Sequence, residues 1–435
     1  MKFSRIAFAT FTAFILSISA VGQRGAARSA PVTQPWVQLA KLTDTYSYGI
    51  LTGPAVAISG NVIVVGSLYG QHASVYVTKN GDWKDMIQTA TLLASDEMPC
   101  GLFGTSVSIS GSTIVVGDPQ TFCYPAQPGA SYVFVEPSEG WSGILTETAK
   151  LQASDALGGD GVGTSVAIDG DTIVAGAPGI YANTAVNGAA YVFVKPTSGW
   201  ASATQTAELT ASDAVPGDLF GNSVSISGGA AVVGSPYVHS NHNHEGAAYV
   251  FVEPASGWVN ATQNAELIAS DPLAYGSLGI SVAISGQTVV VGAYADVGSN
   301  LAQGAAYVFA EALSGWRNTA QVAKLTASNG HFDDLFGTSV AIDGNLIAAG
   351  SINFSRDKEG FTSPFWREGA AYVFQRPAAG WTDMTQNAQL NGADARLAAE
   401  FGTAAAVGGH IVVVGMPNGN RNPGSAYVFS PFKPD

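Results

Sequence analysis

The residues best equipped for chemistry sit in a few short stretches. "HSNHNHE" at 239–245 brings His239, His242, His244 and Glu245 into one segment. Imidazoles and a carboxylate suit zinc, copper or nickel, so a transition-metal site competes there with a plain solvated loop, and the spacing matches no specific metal motif. Cys100 and Cys123 are the two cysteines of the chain, and an oxidising compartment would let them pair. "NFSRDKEGFTSPFWREG" at 353–369 gathers Phe354, Arg356, Phe361, Phe365, Trp366 and Arg367. Aromatic side chains beside arginine are the material of binding hot spots, provided the loop does not fold onto its own rings. His331, Asp333 and Asp334 could supply acid and base groups. No G-x-S-x-G, H-E-x-x-H or phosphate-loop motif accompanies them, so no catalytic residue is assigned and a non-enzyme is expected.

These stretches are interruptions in a repeat. "SVYVT" at 74–78 recurs as "SYVFVEP" at 131–137, "AYVFVKP" at 190–196, "AYVFVEP" at 248–254, "AYVFAEA" at 306–312, "AYVFQRP" at 371–377 and "AYVFSPF" at 426–432, mostly about 58 residues apart. Each unit holds four strand-like runs. In the third they are "GTSVAIDG", "DTIVAGAP", "GAAYVFVKP" and "GWASATQTAELTASD". The first three alternate along the period of a pleated strand, with Gly-containing turns between them. Tyr191 and Phe193 should then face one neighbouring unit, and Val192 and Val194 the other. Four antiparallel strands per repeat is the arithmetic of a β-propeller. The last repeat stops after its third strand, and "PWVQLAKLTD" at 35–44 matches the missing fourth. The expected fold is therefore all-β: a seven-bladed propeller over 35–435, closed by the N-terminal strand so that no terminal blade edge is left unpaired.

A residue found once per blade belongs to the frame. Trp83, Trp141, Trp200, Trp258, Trp316, Trp381 and, by permutation, Trp36 should pack between blades rather than stack on a cofactor. Asp44, Asp96, Asp155, Asp213, Asp271 and Asp394, with Asn329 in one copy, end the fourth strands and read as turn residues more readily than as a ring of carboxylates.

"FG" stands at Phe103–Gly104, Phe220–Gly221, Phe336–Gly337 and Phe401–Gly402, and "GAP" or a variant at Gly176–Ala177–Pro178, Gly117–Asp118–Pro119, Gly234–Ser235–Pro236 and Gly415–Met416–Pro417. In this the chain resembles the FG-GAP repeat family, whose repeat also builds the propeller of integrin α-subunits. The resemblance covers about nine-tenths of the chain. It implies a recognition module. It would also imply calcium loops between strands one and two, but here those links are tight hairpins such as "SGST" and "DGDT" with one or two oxygen side chains. Calcium takes about 6–8 oxygens, so the family's calcium sites do not carry over; Asp169 and Asp171 read as turn residues, and no cofactor is expected.

"MKFSRIAFATFTAFILSISAVGQ" has the basic start, apolar run and small residues of a secretory signal peptide. Cleavage after Gly22 is expected, with Ala27 as a second option and an uncleaved anchor as the alternative, leaving 23–34 as a linker. Without residues 1–22 the chain carries 16 bases against 32 acids. Such a surface repels nucleic acid and anionic lipid. The expectation is a secreted monomer with no membrane span after cleavage, periplasmic or on the cell surface if bacterial. It would bind an extracellular protein or glycan through the face carrying the two-to-three and four-to-one loops. The alternatives are a carbohydrate-active propeller enzyme with carboxylates in its funnel, and a purely structural surface protein. The Cys100–Cys123 bridge is placed on the same face, where it would add about 3 kcal/mol.

Overall fold

The computed structural model of the protein describes residues 18–20, 35–45, 55–68, 70–96, 98, 100–120, 123–179, 186–238, 245–271, 276–294, 303–331, 333–354, 368–395, 399–419 and 422–432. Among them there is no helix, and none that could cross a membrane as an apolar helix. The strands form seven small sheets arranged as the blades of a propeller. Blade 2 is typical. Its inner strand is Ser106–Ser110, followed by Thr113–Asp118, Ala130–Val135 and the outer strand Ala149–Gln152, each antiparallel to the next.

A blade packs against a neighbour on each face, which explains why its three inner strands are nearly all small or β-branched residues. In blade 3, Tyr191 and Phe193 join Val115, Val133 and Leu151 of blade 2 in one cluster. Val192 points the other way, into a cluster with Val224, Tyr249 and Phe251 of blade 4. Val194, expected on that second face, lies past the cluster at the strand end and is 38% exposed. The repeated Trp residues fill the same interfaces: Trp83, Trp141, Trp200, Trp258 and Trp316 are buried, and Trp36 and Trp381 are half-buried against them.

Ring closure follows the permuted strand. Val37–Thr43 runs antiparallel to Asn422–Ser430, with Leu42 opposite Ala426, so blade 7 is built from both ends of the chain. The short strand Ile18–Ala20 runs parallel to the inner strand of blade 2 and lies beside the inner strands of the other blades.

The "FG" and "GAP" glycines are where adjacent blades touch backbone to backbone. A Cβ on Gly176 would stand 2.0 Å from the carbonyl oxygen of Gly221 in the next blade; the matching figures are 1.9 Å for Gly117 on Gly163 and 2.1 Å for Gly234 on Gly279. The "FG" glycine also has positive φ, 94° at Gly221 and 90° at Gly163, where Val162 stands in place of the Phe. Only glycine meets both demands. The serine two residues on completes the joint: Ser106 Oγ donates to the Gly163 carbonyl at 2.8 Å, and Ser165 Oγ to Gly221 at 2.9 Å. A second clasp links the inner hairpins. The Gly170 amide donates to Ser110 Oγ at 3.1 Å, and the Gly228 amide to Asp169 Oδ2 at 2.6 Å. Asp169 therefore serves the neighbouring blade rather than its own turn. Asp171 pairs instead with Lys195, at 3.1 Å.

Candidate functional site

With the frame occupied in holding blades together, the free surface of interest is the face bearing the two-to-three and four-to-one loops. Cys100, in the link from blade 1 to blade 2, is bonded to Cys123, in the second loop of blade 2, with a Cα–Cα distance of 4.9 Å. The next link packs onto that second loop. The Gly159 amide donates to the Gln127 carbonyl at 3.0 Å, and the Val162 amide to the Pro128 carbonyl at 2.8 Å. Two apolar side chains emerge from this knit of loops: Tyr124, 101% exposed, and Leu157, 63% exposed. Asp118, at the end of the strand that leads into the second loop, is buried, accepting from the Leu102 amide at 2.7 Å and from Gln120 Nε2 at 2.9 Å. Burial pushes its carboxyl above the ordinary aspartate range, although the two donors pull the other way.

The four-to-one links share a device. Asp160 Oδ2 accepts the Leu157 amide at 2.6 Å, Asp218 Oδ2 the Val215 amide at 2.9 Å, and Asp334 Oδ2 the His331 amide at 2.7 Å. Asp334, a candidate acid or base, is thus a buried turn residue like its counterparts, with His331 Nδ1 at 3.8 Å.

The aromatic-loop assignment needs one correction. Phe354 is 4% exposed and packs edge-on against Tyr372 at 6.2 Å in a blade core. It fills the place that the half-buried Val238 takes two blades earlier. Arg356, Phe361, Phe365, Trp366 and Arg367 lie outside the described residues, as do His239, His242 and His244. Glu245 is described; its carbonyl accepts the Leu278 amide at 3.0 Å, tying the end of that loop to the next blade. Among the described residues, no group of three or more His, Cys, Asp or Glu side chains is placed to hold a metal ion.

The FG-GAP repeat model matches residues 86–134, 145–193, 203–251, 261–309 and 319–374, five consecutive repeats of the ring. The chain belongs to the FG-GAP repeat family. No curated protein matches it. Among solved structures it is similar to the crystal structure of the computationally designed Ika8 protein, at 14% identity and a TM-score of 0.47, over 90% of this chain and 99% of that one.

One feature of this FG-GAP propeller escapes the motif. In several seams the Asp ending the outer strand is not a turn residue alone: it reaches the tyrosine of the next blade's third strand. Tyr132 donates to Asp96 at 2.9 Å, Tyr307 to Asp271 at 3.0 Å and Tyr427 to Asp394 at 2.6 Å. In these three seams a lysine directly across the strand pair completes a triad. Lys150 lies 2.5 Å from Asp96, with its ammonium 5.3 Å from the centre of the Tyr132 ring; Lys324 lies 2.7 Å from Asp271 and 5.1 Å from the centre of the Tyr307 ring. Lys41 pairs with Asp394 and stands 5.7 Å from the centre of the Tyr427 ring. Burial pushes the Asp96 and Asp394 carboxyls up, but the ammonium and phenol outweigh it, and both titrate below the ordinary range.

The remaining seams differ. Between blades 7 and 1, the buried Asp44 pairs with the buried His72. Between blades 5 and 6 the groups are neutral, with Asn329 donating to Gln389 at 3.0 Å. Between blades 2 and 3 and between blades 3 and 4, the lysine position holds Glu208 and Glu266, across the strand pair from Tyr191 and Tyr249.

Proposed function

We propose that this FG-GAP propeller is a non-catalytic extracellular recognition module, exported by its leader, that holds a protein or glycan on its loop face. The observation that carries the reading is the pair of exposed apolar side chains, Tyr124 and Leu157, on loops tied by the Cys100–Cys123 bridge and by backbone hydrogen bonds. A rigid aromatic on a braced loop loses little entropy when it binds, and Tyr is enriched among hot spots for that reason. The repeated residues are engaged between blades, which leaves recognition to the loops that vary. The net charge of −14 disfavours nucleic acid and anionic membranes as partners.

The test is a binding screen against arrayed glycans and extracellular proteins, run with the natural chain, Tyr124→Ala/Leu157→Ala and Trp366→Ala. Loss of a hit in the double variant supports the braced loops as the anchor. Loss only with Trp366→Ala moves the anchor to the 353–369 segment. Hits unchanged in both variants remove the loop face from the proposal.

A further inference from the structure

We infer that blade 3 is a pH-responsive sector of the ring, held more tightly in mild acid than at neutral pH because each of its flanks pairs two carboxylates where three other seams pair a carboxylate with a lysine. The geometry comes from the molecule's own repeats. In the seam between blades 1 and 2, Lys150 sits across the strand pair from Tyr132 and reaches Asp96. Glu208 occupies that position opposite Tyr191, facing Asp155, and Glu266 occupies it opposite Tyr249, facing Asp213. Tyr249 still donates to Asp213, at 3.4 Å. Asp160 and Asp218 add further negative charge around these two tyrosines. The amides of Glu208 and Glu266 donate to Asn260 Oδ1 and Asn318 Oδ1 across the seam, at 2.8 Å and 2.9 Å, and neither partner brings a cation. Both glutamates are half-buried, so water screens the repulsion only in part.

The direction of the effect follows. Burial first, then the facing aspartate, pushes the Glu208 and Glu266 carboxyls above the ordinary glutamate range. A carboxyl raised on folding binds its proton more tightly in the folded state, so the penalty is complete above the folded value. The penalty fades as pH falls and is gone below the unfolded value of about 4.3. At Asp96 and Asp394 the sense is opposite: their stabilisation is present above about 3.9 and is lost as pH falls through the lower folded value.

The experiment compares melting temperatures of the intact natural chain, Glu208→Gln/Glu266→Gln and Glu208→Lys/Glu266→Lys from pH 7.5 to pH 4. A control pair, Glu139→Gln/Glu253→Gln, removes the same charge from exposed turns and accounts for the general relief of net negative charge. The Gln pair should melt about 1–2 °C above the natural chain at pH 7.5, with the gap closing by pH 4, and the Lys pair should gain about 2–4 °C at pH 7.5. A gain no larger than the control's, one equal at both pH values, or a loss with both pairs at pH 7.5 overturns the inference.

Discussion

Blade 3 and blade 7 share a strand plan and differ in what holds their flanks. Blade 3 is one continuous stretch of chain, from Ser165 to Thr210, and each flank sets Glu against Asp. Blade 7 is assembled from residues at opposite ends of the chain, and each flank carries a paired opposite charge or a carboxylate–imidazole pair: Lys41 with Asp394 on one side, Asp44 with His72 on the other. Blade 3 is joined to its neighbours by the glycine joints, the serine and aspartate clasps and the apolar clusters, and its flanks lack the lysine that blade 7 sets against Asp394. An exposed ion pair is worth little by itself, about 0–1 kcal/mol. A partly buried triad of Lys, Asp and a tyrosine ring is worth more, because the phenol and the ring add to the Coulomb attraction.

That comparison can be broken most severely at the closing strand. A chain without residues 1–44 leaves blade 7 with three strands and exposes Val413 and Val428. We expect loss of the single cooperative melt and aggregation, read by calorimetry and size exclusion. The next largest effect is at the glycine joint. Gly163→Ala puts a Cβ 2.3 Å from the Ala130 carbonyl at a φ of 90°, whereas Gly170→Ala, at a φ of 56°, meets nothing within 4 Å. Urea unfolding should show a loss of about 3 kcal/mol or more for the first and about 1 kcal/mol for the second. Lys41→Met is expected to lower stability by about 1 kcal/mol at pH 7, with the difference shrinking below pH ~4 as Asp394 takes up its proton. Smallest is Asp271→Asn, which keeps an acceptor for Tyr307 but loses the Lys324 charge, for about 0.5 kcal/mol by the same melt.

Much of the frame could be read from the residues alone, because it is periodic. The Tyr-Val-Phe strands, the permuted Trp36 strand and the buried tryptophans each announce themselves by recurrence. What recurrence conceals is the partner. The Asp at the end of each outer strand looks like a turn residue, and only folding brings Asp96 to Tyr132, 36 positions away. The "FG" and "GAP" glycines can be recognised as a motif, but their cause is a backbone approach between blades that no local window contains. Phe354 reads as part of the inserted loop because it stands at the loop's start; alignment with Val238 two repeats earlier assigns it to the core. Tyr124 and Leu157 stood out in no pattern, since exposure depends on which loops pack together. The Lys-to-Glu change at Glu208 and Glu266 is plain in the aligned repeats, yet without the facing aspartates it has no meaning.

Hydrogen exchange, resolved by peptide, tests the seam account most directly. Strand amides in Ala189–Val194 of blade 3 and in 425–430 of blade 7 occupy matching places in the plan. After correction for intrinsic rates, blade 3 should exchange faster than blade 7 at pH 7.5, and the difference should narrow at pH 5. Equal protection of the two strands at pH 7.5, or a difference that does not change with pH, would contradict it.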